Sequence, residues 1–313
     1  MSSTDKMPRG GRDSVAGMRT ASWRSSRLKP VVDDFGFVSK GDNRLLDEKN
    51  QEKYYTQIVE KYIKFCGSAD GSSDLDSKLA AVFASLALPG KNARFADSSN
   101  SELSSILLSM RKLREGIVAS KRIDAFTHQV YVFVIRAAIL MKHTESYHPA
   151  LLHLLNTIHP VIPLSSNELQ EFAGYYMLHL ACHMENYSEA FMVQREFGVK
   201  DYRIMQAIVA LVHGNYWSFR AMKRKVDLYK GRLLEDAENR MRKDTLKCLG
   251  KTYFTLELGY VETVMGMQWE DLKKEYQVGW ELDDTGEVVT LRRVKKATPP
   301  VVQQKEFKAW EDD

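Results

Sequence analysis

Cysteine is scarce in this 313-residue chain, with Cys66, Cys182 and Cys248 the only three. They stand far apart with no Cys-x-x-Cys partner. That excludes a disulfide framework and a zinc ribbon, and it fits a reducing compartment. Long apolar runs are missing as well. A membrane-spanning helix needs about 18 clean apolar residues. The nearest stretch, Val130 to Met141, is shorter and carries Arg136, so no membrane partner is expected. The opening residues are polar, and no secretory leader is read there. Nor does one sign of charge dominate, with 45 bases against 41 acids.

Catalytic patterns are equally thin. Gly250-Lys251-Thr252 is like the end of a phosphate loop, but the full pattern needs glycine where Thr245 stands, and it needs a loop where the periodicity gives a helix. His179 and His183 have the four-residue spacing of helical zinc ligands, yet Leu180 occupies the place of the metalloprotease glutamate. His143 and His213 recur at similar places without a second ligand, which favours packed helix ends over a metal site. Asp283-Asp284 and Asp312-Asp313 fall in a turn and a tail, too wet to tune an acid against a base. No nucleophile sits in a recognisable elbow. The expectation is a non-enzyme with no cofactor and no metal.

What the chain does contain is repetition. Ile139 to His143, Leu178 to His183 and Ile208 to His213 are apolar helix ends closed by histidine. Each is followed by a short polar joint, then Tyr147, Tyr187 or Tyr216, and then a new apolar helix. Asn, Ser and Gly in the joints supply caps and tolerate left-handed backbone. Three helix–turn–helix units in a row predict a helical-repeat stack.

Taken in order, residues 1–43 read as a disordered basic tail, with seven bases and two acids before Pro30. That tail is a candidate nuclear-targeting or nucleic-acid-touching arm; a mitochondrial presequence is the other address considered, weakened by Pro8, Gly10 and Gly11. Residues 44–100 read as N-terminal helices, one with an apolar face of Tyr55, Ile58, Val59, Tyr62 and Phe65 and another from Leu79 to Leu88. Asn92 to Ser101 reads as a polar connector ending in a cap for a helix over 102–114. Residues 101–235 hold the repeats, including a long helix that pauses near Gly231. Residues 236–296 change character: two short helices lead to Gly279-Trp280-Glu281-Leu282, an Asp/Gly turn and Val288 to Leu291, which predicts a β-hairpin. Helix, two short helices and hairpin is the order of a winged-helix module. Residues 297–313 read as a polar tail.

A repeat stack running into one C-terminal winged helix resembles the PCI-domain proteins, the scaffold subunits of the proteasome lid, the signalosome and translation initiation factor three, and among these the small-subunit type. The likeness rests on Asn186-Tyr187 and Asn215-Tyr216 at the joints, on Leu246 to Tyr253, and on Gly279-Trp280 before the hairpin. It covers roughly residues 102–296. The resemblance implies a mainly helical fold, a scaffold role in the cytoplasm, the nucleus or both, and side-by-side assembly with other PCI-type protein subunits through the winged helices. Val288, Val289 and Leu291 are then the expected strand residues at the wing edge, beside the partner or the core, with Trp280 packed under the wing. Open sheet edges suit such strand addition.

The alternative is a nucleic-acid-associated adaptor, an mRNA export or processing scaffold. Between Arg220 and Lys247 there are ten bases and five acids. Arg220, Lys223, Arg224, Arg292, Arg293, Lys295 and Lys296 are the candidate patch for RNA or an acidic partner. A solvated helix face with i,i+4 pairs such as Glu238 with Arg242 is the plainer reading of the same residues. The helix Trp269 to Tyr276 carries Glu270, Asp271 and Glu275 against Lys273 and Lys274, which argues against reading a DNA groove.

Overall fold

The computed structural model describes residues 35–67 and 93–292. The predicted helix over Leu79 to Leu88 and both outer tails lie outside those residues. The described chain is mainly helical, with a small antiparallel sheet near its end.

Residues 35–43, read above as part of the basic tail, are packed on the body. Phe35 packs on Tyr54 at 4.8 Å between ring centroids, and the Asp42 carboxylate accepts from the Gly36 and Arg44 amides at 2.6 and 3.1 Å. Leu45 is fully buried against Gly116, where a methyl group would come within 2.7 Å of the leucine side chain. Phe35 and Leu45 give this short segment enough to bury, and Asp42 closes its turn. It therefore folds onto the body.

Helix α1 (Glu48–Gly67) buries Tyr54, Ile58, Tyr62 and Phe65. It packs against α2 (Ala93–Ser120), whose buried face is Ile106, Met110, Leu113 and Ile117. Of the connector expected at Asn92 to Ser101, the described part, from Ala93 on, is already helix. Serine and asparagine disfavour helix by only a few tenths of a kcal/mol each, too little to stop one held by that apolar face.

Three helix pairs follow: α3 (Ala125–Leu140) with α4 (Thr144–His153), α5 (Ser166–Leu178) with α6 (Tyr187–Phe197), and α7 (Tyr202–Val212) with α8 (Tyr216–Lys223). Each joint turns on one left-handed residue, Lys142, Glu185 or Gly214, with φ of 51°, 56° and 63°. The next residue, His143, Asn186 or Asn215, is the cap position of the new helix. The first copy of the repeated phrase is thus shifted by three residues: α4 starts at Thr144, so Tyr147 is not the counterpart of Tyr187 and Tyr216. Pro149 falls inside α4. Helices α4 and α5 each end in one wide turn, Leu154–Ile158 and His179–His183. The cap at Ser165 is a reciprocal capping box with Glu168, and Asp201 caps α7.

Helix α9 (Leu228–Thr252) is continuous through Gly231 and across the boundary expected at 235/236. The break falls earlier, at Asp227, whose carboxylate accepts from the Lys230 amide at 2.9 Å. A capped start and a long apolar stripe outweigh the single glycine. The helix packs on α3, α5 and α8. Its Leu233, Leu234, Ala237 and Met241 enter the core of the helical body, while Leu246 and Leu249 enter a second core.

That second core belongs to β1 (Thr255–Glu257), α10 (Leu258–Met265), α11 (Trp269–Tyr276), β2 (Glu281–Leu282) and β3 (Val288–Thr290). The sheet order is β1-β3-β2, with Leu256 and Leu282 both opposite Val289. The hairpin turn is held by Asp283, which accepts from the Glu287 and Val288 amides, both at 3.1 Å.

Candidate partner-binding surfaces

The first expected surface was a sheet edge carrying Val288, Val289 and Leu291. These residues are not at an edge. Strand β1, which the sequence reading lacked, pairs with β3 on the side opposite β2, so β3 is central. Val289 and Leu291 are buried in the small core and only Val288 is exposed. The unpaired edges belong to β1 and β2. Thr255-Leu256-Glu257 carries a trace of strand alternation, but three residues after a long helix give no periodicity to detect. Trp280 is half-buried and lies against α9, its ring 3.7 Å from where a Gly250 side chain would begin.

The second expected surface was the basic patch, and two of its seven members, Arg220 and Lys223, are engaged within the chain. Arg220 donates to the carbonyls of Thr263 and Val264 at 2.8 and 3.2 Å, closing the C-terminal turn of α10. Lone carbonyls at a helix end attract a cation in this way. Lys223 is paired with Glu238 and lies 4.0 Å from Glu235. Further along, Lys230 binds Asp201, Arg240 binds Glu185, and Arg242 binds Glu238 at 2.9 Å, the i,i+4 pair the spacing suggested. Arg242 also donates to the Tyr216 hydroxyl at 2.7 Å, and that hydroxyl donates to the Met265 carbonyl at 3.3 Å. Of the expected patch, Arg224 and Arg292 remain exposed, with Arg292 resting on the Phe254 ring at 4.2 Å. Arg293, Lys295 and Lys296 lie outside the described residues. Among the described members, Arg220 and Lys223 are engaged within the chain while Arg224 and Arg292 face solvent.

A surface the sequence reading missed lies between the body and the sheet-bearing module. Trp217 is 60% exposed and Tyr260 48% exposed. Both line a cavity of about 650 Å³, with Asp244 and Cys248 from α9 in its wall. On the other side of Trp217 is a smaller hollow of about 230 Å³ lined by Arg220, Arg224 and Thr263. Trp217-Ser218-Phe219 follows a capped joint, so its first aromatic could be buried or exposed. Only the packing of Phe219 into the core, fully buried, decides that Trp217 faces out.

Comparison of the chain with protein-family models and with curated proteins gives no match.

The histidines sort by depth. His179 is buried, with Nδ1 2.9 Å from the Tyr147 hydroxyl, and its ring stacks between His148 and His183 at 4.3 and 5.2 Å. Burial pushes its pKa down to about 4, and the two neighbouring imidazoles push the same way. His183 reaches instead toward Asp236 at 3.6 Å. Burial drives the Cys182 thiol well above its ordinary range. Among the described residues no group of three ligands is placed to hold a metal ion. Gly250-Lys251-Thr252 is the last turn of α9. No described helix is long and apolar enough to cross a membrane.

Proposed function

We propose that this chain is a non-catalytic scaffold subunit of a multi-protein assembly, of the PCI type. It joins its partners through protein surfaces at the C-terminal end. The single observation that carries the reading is the order α9, β1, α10, α11, β2, β3, with β3 central and two short edges open, fed directly by paired helices. That order is the one a winged-helix module has, and paired helices need neighbours to bury both faces. An open edge offers unpaired N–H and C=O groups to another subunit's strand. The small sheet, with strands of two or three residues, gives an edge that pairs only where side-chain packing adds to it.

The pairing of Lys223, Lys230, Arg240 and Arg242 with acids of the same chain favours this reading over a nucleic-acid adaptor. Phosphate binding at those positions would have to break ion pairs that already exist.

Purification of the tagged full chain from cells, with nuclease and at low and high salt, tests the proposal. The expected result is stoichiometric recovery with other protein subunits that survives nuclease. Recovery as a free monomer would overturn it, and co-purifying material lost with nuclease or high salt would assign the adaptor role instead.

A further inference from the structure

The exposed indole of Trp217 stands between two adjoining hollows of different chemistry. One is walled by Tyr260 and by Asp244 and Cys248 of α9; the other is lined by Arg220, Arg224 and Thr263. Arg224 is exposed, and Lys247, one turn from Asp244, binds that carboxylate at 3.0 Å. One hollow thus carries two guanidinium groups and the other an acid already paired with a lysine, beside two aromatic rings that are each about half in water or more. Aromatic surface left open beside guanidinium groups is costly to keep wet, and it suits a peptide that brings aromatic rings and carboxylates together.

Such a peptide is in this chain. Residues 306–313 read Glu-Phe-Lys-Ala-Trp-Glu-Asp-Asp, with four acids, one base and two aromatics. The described chain leaves β3 at Arg292, whose guanidinium rests on Phe254. Phe254 lies two residues past the end of α9, and Cys248 is four residues, about 6 Å at 1.5 Å per residue, before that end. The fourteen residue steps from Arg292 to Glu306 span at most roughly 50 Å, several times what is needed. We propose that this segment docks on its own chain across Trp217, with Phe307 and Trp310 against Trp217 and Tyr260, and with Glu311, Asp312 and Asp313 facing Arg224. The occupant is the chain's own C-terminal segment, matched in charge, in aromatic content and in reach.

Cys248 provides the test, because Cys66 and Cys182 are buried and it alone of the three cysteines is exposed. The full chain carrying Ala309→Cys is oxidised mildly and the rate of disulfide formation to Cys248 is measured. Ala297→Cys, on the same tether but outside the proposed contact, gives the rate expected from proximity alone. The expected result is a within-chain bond forming many-fold faster from position 309 than from 297. Charge reversal by E311K, D312K and D313K together, or high salt, should bring the two rates together. These substitutions all lie outside the described residues. Equal rates at 309 and 297, a rate unmoved by the charge reversal, or a bond only between two chains would each overturn the proposal; the last would assign the surface to a second copy.

Discussion

Helix α9 gives Leu233, Leu234, Ala237 and Met241 to the large core of the helical body, and further along gives Leu246 and Leu249 to the small core around Val289. The two regions are built differently. The body stacks many helices, buries whole tyrosines such as Tyr54, Tyr131 and Tyr175, and contains all eight histidines of the chain. The module rests on eight buried residues, three strands of two or three residues and two short helices, and it has no histidine. Its surface is held to the body by Arg220 on the α10 carbonyls and by the Arg242–Tyr216–Met265 chain. A small core of this kind does not close without the helix it borrows. The difference teaches that the module is an extension of the body along α9, and that the joint between them is polar while each core is apolar.

The sharpest way to break this comparison is to damage each core separately. Phe172→Ala in the body should cost about 3–5 kcal/mol and raise amide exchange in both regions, because the module depends on α9. Met265→Ala, fully buried in the module, should cost about 2–5 kcal/mol yet leave the amides of α3 and α5 protected. Loss of protection throughout in the second variant would show a single cooperative unit.

Acid offers the next largest effect. His179 has a folded pKa of about 4, below its ordinary value of 6.5, so it stays neutral in the fold while the unfolded chain takes up a proton. Stability is therefore complete above pH 6.5, falls as pH drops toward 4, and levels off below that. The loss from this group is about 3 kcal/mol. His148 and His153 are shifted down by burial and act in the same direction. Denaturant titrations across that window should show the loss, and His179→Asn should flatten it. The acid step should begin in the body; onset in the histidine-free module would contradict the contrast.

Arg220→Met removes two charge-assisted hydrogen bonds that are partly exposed, and it should cost about 1 kcal/mol. The readout is faster exchange at α10 and α11 with α3 unchanged. The smallest effect has the opposite sign. Gly231 lies inside α9 with nothing near its open face, so Gly231→Ala should stabilise by roughly 0.5–1 kcal/mol, read as a higher melting temperature with both cores gaining together.

Much of the helical body was legible because its signals are local. Ser165 with Glu168, Asp201 with Arg203, and the polar joints before Tyr187 and Tyr216 lie within a few residues of the helix starts they control. The hairpin was legible from Asp283 to Gly286 for the same reason. The first repeat was misread by three residues because Tyr147 resembles the later tyrosines, although the backbone turns at Lys142. The candidate site was read poorly. Its bases were counted along one helix, but what they face comes from elsewhere in the chain.

By itself the sequence determined the run of helices, their caps, and the change to sheet near the end, since each depends on periodicity or on hydrogen bonds a few residues long. Tertiary structure alone decided that β3 is central, that Trp217 faces water, and that Arg220 closes a helix instead of meeting a phosphate. Arg220 and the Thr263 carbonyl are 43 residues apart, and Val289 meets Leu256 only when two cores share α9. Contacts across such distances follow from how the helices pack, and no pattern within either segment records them.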